Sequence, residues 1–120
     1  MGFLDRIRNK GAPTTPQETD ELVLRELAAQ GADLTKPRHV IHYLYFTSEP
    51  DAQAAGDVIE QAEWETTVRP PDDRIAGWSL RAEGYRVIGT ATVGAFRAWF
   101  EQIAAECEGE YDGWEASAKP

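Results

Sequence analysis

The chain has 120 residues, 21 acidic against 12 basic for a formal net charge of −9, with 42% hydrophobic residues and one cysteine. That is enough apolar chain for the core of one domain, while the lone Cys107 excludes an internal disulfide framework and no run approaches the roughly 18 apolar residues of a membrane span. The acidic balance opposes direct nucleic-acid binding, which draws its affinity from neutralised phosphates; it suits a basic protein partner, and it serves solubility equally well.

Met1 to Lys10 has too short an apolar stretch for a secretory signal, and Arg6 stands where a myristoylation pattern wants Ser or Thr. Phe3, Leu4 and Ile7 with Arg6, Arg8 and Lys10 would make one basic amphipathic turn that touches a membrane or a partner, or else a frayed end lying lightly on the domain. Gly11 to Thr15 reads as a linker. The expected organisation is an N-terminal turn and linker over 1–15, an α+β domain over 16–117 and a short tail over 118–120.

Thr15-Pro16-Gln17-Glu18 is a capping box with proline at the first helical position, so a helix starts there, carries an apolar stripe around Leu22, Val23, Leu27 and Gln30, and stops at Gly31. Pro37 precedes a β-branched and aromatic run that predicts a strand from Arg38 to Thr47. Ser48-Glu49-Pro50-Asp51 opens a second helix with a small-residue face of Ala52, Ala55, Ile59 and Ala62, weakened by Gly56. Trp64 to Arg69 is a strand cut off by Pro70 and Pro71, followed by a loop over Asp72 to Ala76. Trp78 to Gly89 is a further strand, in which Glu83-Gly84 marks a bulge or a tight turn. Phe96, Trp99, Phe100, Ile103, Ala104 and Cys107 recur at helical spacing, Gly109 ends that helix, and a last strand runs from Glu110 to Ser117. Two strand-helix-strand units fit an antiparallel sheet with two helices on one face, plus an extra N-terminal helix.

Alternation divides the first long strand into Val40, His42, Leu44 and Phe46 on a core face and His39, Ile41, Tyr43 and Tyr45 on the other. Tyr43 and Tyr45 then either anchor a partner on an open sheet face or lie under the N-terminal helix. His39 and His42, an odd number of residues apart, face opposite ways and do not share a metal. In the last strand, alternation puts Tyr111, Gly113 and Glu115 on one face and Asp112, Trp114 and Ala116 on the other, so Trp114 is expected in the core and Tyr111 and Glu115 outside it. The same rule separates Glu110 and Asp112 from Glu115, and no nucleophile, phosphate loop or zinc signature accompanies them. No enzyme activity, metal or cofactor is expected.

The ending Gly109-Glu-Tyr-Asp-Gly-Trp-Glu115, together with Leu34-Thr-Lys-Pro-Arg38 leading into His42-Tyr-Leu-Tyr-Phe46, resembles the ribonuclease E inhibitor family, the regulators of ribonuclease E activity of type B, over about residues 17 to 117. The resemblance implies a small cytoplasmic protein with a ferredoxin-like sandwich that binds ribonuclease E or a related endonuclease and lowers RNA cleavage. Tyr43, Tyr45, Tyr111 and Glu115 are the expected partner-binding residues. The strongly acidic tail of some family members is replaced by Ala118-Lys119-Pro120, and the resemblance does not extend to Met1–Lys10. Alternatives are a small-molecule sensor or general protein-interaction domain on the same fold, and an RNA-stacking sheet that the acidic charge disfavours.

Overall fold

In the computed structural model, backbone is described for residues 6–10 and 16–119 and side chains from Asp20 to Lys119. The elements are β1 (Arg6–Lys10), α1 (Pro16–Ala29), β2 (Arg38–Phe46), α2 (Glu49–Gln61), β3 (Glu65–Arg69), β4 (Trp78–Arg86), α3 (Thr90–Glu106) and β5 (Gly109–Ser117). The strands form one antiparallel sheet in the order β1-β5-β2-β4-β3. Its β2-α2-β3 and β4-α3-β5 halves, giving strand order β5-β2-β4-β3, make a ferredoxin-like α+β sandwich.

Local chemistry explains most boundaries. Ser48 caps α2 by accepting the Asp51 N–H at 3.3 Å, and Glu49 and Asp51 put carboxylates at the positive end of the helix. At the start of α3, the Gly89 N–H donates to Thr92 Oγ1 at 2.7 Å. The turn out of α3 is made by Glu108, at φ 58°, rather than by Gly109. Gly109 answers a different demand: a Cβ there would run into the Phe46 ring and lie 2.5 Å from the Tyr45 carbonyl oxygen. Gly31, at φ 89°, ends α1 as expected, whereas Thr15 of the predicted capping box lies outside the described residues.

The core has two parts on one side of the sheet. Leu44, Phe46, Ala52, Ala55, Ile59, Leu80, Phe100 and Ile103 fill the space between the sheet and α2 and α3. Val23, Leu24, Leu27, Val40, Ile88, Val93, Trp114 and Ala116 form the other part, under α1. Each fully buried Leu, Ile or Phe of this set contributes about 1.5–3 kcal/mol of transfer free energy. The apolar stripe of α1 is rotated from the sequence reading: Leu22 is 52% exposed, and buried Asp20, Val23, Leu24 and Leu27 point inward instead. On α2, Gly56 is buried in the helix face and Ala62 is the exposed C-cap.

Two further expectations change. The register of β2 and β4 runs unbroken from Arg38↔Arg86 to Phe46↔Trp78, so Glu83-Gly84 makes neither bulge nor turn. Gly84 instead leaves room for Trp64, whose Cε3 would lie 3.0 Å from an added Cβ and whose ring is capped by the Arg86 guanidinium at 4.1 Å. Residues 6–10, read as an amphipathic turn or frayed end, are a strand that pairs with β5 from Arg6↔Ser117 to Lys10↔Gly113. The remaining residues of that expectation lie outside the described ones.

Candidate functional site

Because α1, α2 and α3 all pack on one side, no described helix covers the other face of the sheet. The N-terminal helix therefore does not lie over Tyr43 and Tyr45. On that open face β2 supplies His39, Ile41, Tyr43 and Tyr45, opposite Tyr85, Glu83, Arg81 and Ser79 of β4. From the other flank β5 sets Glu115 opposite Ile41 and Glu110 opposite Tyr45.

These side chains are tied together. The Tyr43 hydroxyl donates to Glu115 Oε1 on the diagonal position of the neighbouring strand. Glu83 forms an ion pair with Arg81, whose Nε lies 3.1 Å from it and whose Nη2 donates to Oε1 at 3.5 Å, and meets His39 Nε2 at 3.0 Å. The charges are thereby held in place while Tyr43 and Tyr45 stay half-buried and Tyr85 is 65% exposed. Tyr43, Tyr45, Thr67, Arg69, Ile75 and Arg81 line a concavity of about 150 Å³ on this face. A preorganised surface of aromatics, carboxylates and two arginines suits a polar protein contact.

Tyr111 does not join that face. Tyr43 pairs with Gly113 but the next residue, Leu44, pairs with Tyr111, so Asp112 is an extra residue in a β-bulge, and Gly113 adopts φ 119°. The inserted residue resets the alternation, so Tyr111 turns to the helices together with Trp114, and Glu110 shares the open face with Glu115. Inside, the Tyr111 ring stacks on Phe100 at 5.9 Å and its hydroxyl bonds His42 Nδ1 at 2.8 Å. Burial, with the Asp20 and Glu101 carboxylates adding to it, pushes the Tyr111 hydroxyl well above the ordinary tyrosine range. Burial, aided by the Arg86 charge, pushes His42 down to about 3. His42 is thus a neutral core residue, stacked on Phe100 at 4.1 Å, and stays neutral where acid-base catalysis near pH 7 would need it to titrate.

Trp114 is in the core as alternation predicts, at 1% exposure, and its Nε1 donates to Asp20 Oδ1 at 3.0 Å. Arg97 Nε donates to the other oxygen of Asp20 at 2.7 Å. This buried acid joins α1, α3 and β5, and the only trace of it in the sequence is a carboxylate three positions before Val23 in the inward stripe. Arg38, fully buried, donates to the carbonyls of Ser117 and Ala118 at 2.9 Å each and of Asp33 at 2.6 Å, pinning the end of β5 to the entry of β2. Among the described residues no group of three or more His, Cys, Asp or Glu side chains is placed to hold a metal ion, and no helix is long and apolar enough to cross a membrane.

Residues 17–116 match the model of the family described as regulator of ribonuclease activity B. No curated protein matches the chain.

Proposed function

Because the chain belongs to the family of regulators of ribonuclease activity B, we propose that it acts in the cytoplasm by binding ribonuclease E, or an equivalent endoribonuclease, through its open sheet face, and that it lowers RNA cleavage without catalysis of its own. The observation that carries this reading is the gathering of Tyr43, Tyr45, Glu110 and Glu115 on a face that no described helix covers. Tyr43, fixed by its hydrogen bond to Glu115, loses little freedom on binding, and the −9 net charge favours a basic segment of the nuclease over RNA itself. Tyr111 enters this reading differently from Tyr43, Tyr45 and Glu115. Its ring borders a shallow pocket with Tyr45, Glu101, Glu110 and Asp112, so it supports the acidic rim from beneath.

The test is a cleavage assay with purified nuclease and a labelled RNA, alongside capture of the nuclease on the immobilised protein. Expected are slower cleavage, retention of the nuclease and not of the RNA, and weaker retention as salt rises through physiological strength, where screening acts over about 8 Å. Tyr43→Ala and Glu115→Gln should reduce retention at least fivefold while thermal stability changes little. Full cleavage rates at saturating protein, with no nuclease retained, would defeat the reading.

A further inference from the structure

The terminal strand β3 reads Glu65-Thr-Thr-Val-Arg69, with a carboxylate at one end, a guanidinium at the other and threonine at its centre. It pairs with β4 over all five residues without a register shift, and among the described residues no strand lies beside its other edge. Glu65, Thr67 and Arg69 are exposed. An edge of this kind is a template for another strand unless something blunts it; β3 has neither an internal proline nor a bulge, and its five-residue length and the following Pro70-Pro71 restrict any added strand to a short one.

The charges at its ends define which strand fits. Glu65 stands directly opposite Glu83 of β4, a like-charge pair, and Glu83 is already shared between Arg81 and His39. Neither Glu65 nor Arg69 has an ion pair among the described residues. If a second β3 is laid antiparallel with Thr67 on the two-fold axis, Glu65 comes opposite Arg69 of the copy, Arg69 opposite its Glu65, and Thr66 opposite its Val68. Parallel self-pairing would set glutamate on glutamate and arginine on arginine. The opposite end of the sheet, β1, reads Arg-Ile-Arg-Asn-Lys, and its antiparallel self-pairing would oppose Arg6 to Lys10. Only one of the two edges is therefore self-complementary, which closes the assembly at two chains instead of propagating it.

We infer that β3 is a dimerisation edge whose partner is a second copy of this chain, joined antiparallel about Thr67 by two reciprocal Glu65–Arg69 pairs. The inference is independent of the proposed nuclease contact. On the helix side of the edge, Glu60 reaches Thr66 Oγ1 and the exposed Asp57 precedes it by one helical turn, so two α2 helices with acidic borders resist close approach. The contact is confined to the strands and falls below the size of a standard stable interface, so the dimer is weak, dissociating at on the order of 10–100 μM.

Sedimentation equilibrium of the full chain between about 5 μM and 1 mM tests this, read against circular dichroism to confirm folding of each variant. The unaltered chain is expected to follow a monomer–dimer equilibrium. Glu65→Arg and Arg69→Glu should each weaken it about tenfold, since each turns two opposite-charge pairs into like-charge pairs. The chain carrying both changes should regain the original association, and an equimolar mixture of the two single variants should form a mixed dimer. A second measurement, amide exchange across β3, should slow as concentration rises. A monomer throughout the range, a dimer indifferent to these charges, or failure of the double change to restore association would each overturn the assignment.

Discussion

Tyr111 and Trp114 lie on the same side of the sheet although they are an odd three positions apart, because Asp112 is inserted as a bulge and Gly113 turns through φ 119°. Strict alternation would have parted them. Both rings therefore face the helix side of the sheet, Trp114 fully buried and Tyr111 half-buried against Phe100.

Truncating either should act on stability. Trp114→Ala should cost about 3–5 kcal/mol, the range for a buried aromatic, and Tyr111→Phe about 1–3 kcal/mol, because it leaves His42 Nδ1 without its partner. Urea melts of both variants check this. A Tyr111→Phe protein as stable as the parent would show that the hydroxyl contact contributes nothing.

Asp20 and Arg97 should prove strongly coupled. Arg97→Ala removes the cationic partner of the buried Asp20 carboxylate and should destabilise by about 2–4 kcal/mol, with Asp20→Ala similar. In a double-mutant cycle the coupling should exceed about 1 kcal/mol, whereas additive losses would mean that the ion pair is incidental.

The His42–Tyr111 pair sets opposite pH limits. Below the ordinary histidine value of 6.5 the unfolded chain takes a proton that folded His42, at about 3, refuses, so stability is complete above pH 6.5 and falls as pH drops from there toward 3. The steepest loss attributable to this one group is about 1.4 kcal/mol per pH unit. Tyr111 works at the other end: its raised folded value means stability is complete below about pH 10 and is lost above it as the unfolded chain ionises first. Denaturant midpoints across pH 4 to 8 should flatten in His42→Gln, and an unchanged acid slope would assign the effect to other groups.

Two glycine replacements should have opposite signs. Gly109→Ala drives a Cβ into the Phe46 ring and the Tyr45 carbonyl and should cost about 1–3 kcal/mol or more. Gly94→Ala, inside α3 with only the Arg97 side chain at 3.9 Å, should stabilise by roughly 0.5–1 kcal/mol through its higher helix propensity. Thermal midpoints that move in the same direction would contradict this account of Gly109.

What could be read from the residues alone was local and periodic. The capping chemistry of Ser48, the helical recurrence of Phe96, Phe100 and Ile103, and the alternation of Val40, His42, Leu44 and Phe46 each express a backbone period within one element, and each reappears in the fold. The burial of Trp114 was legible for the same reason. Tertiary structure decided the rest. The bulge at Asp112 exists only relative to the register of β2, so a count along β5 alone assigns Tyr111 and Glu110 to the wrong faces. Asp20 is buried because Arg97 and Trp114, 77 and 94 residues away, compensate its charge, and nothing in its own neighbourhood announces them. Residues 6–10 lack an apolar strand pattern and become β1 only where the free edge of β5 receives them. Likewise, α1 could have covered either face, and the apolar surface of Val40, Ile88, Val93 and Trp114 drew it to the helix side, leaving Tyr43 and Tyr45 with no described helix above them. Periodicity fixes which way a side chain points within its own element, while the choice of neighbour depends on surfaces that exist only once distant segments have met.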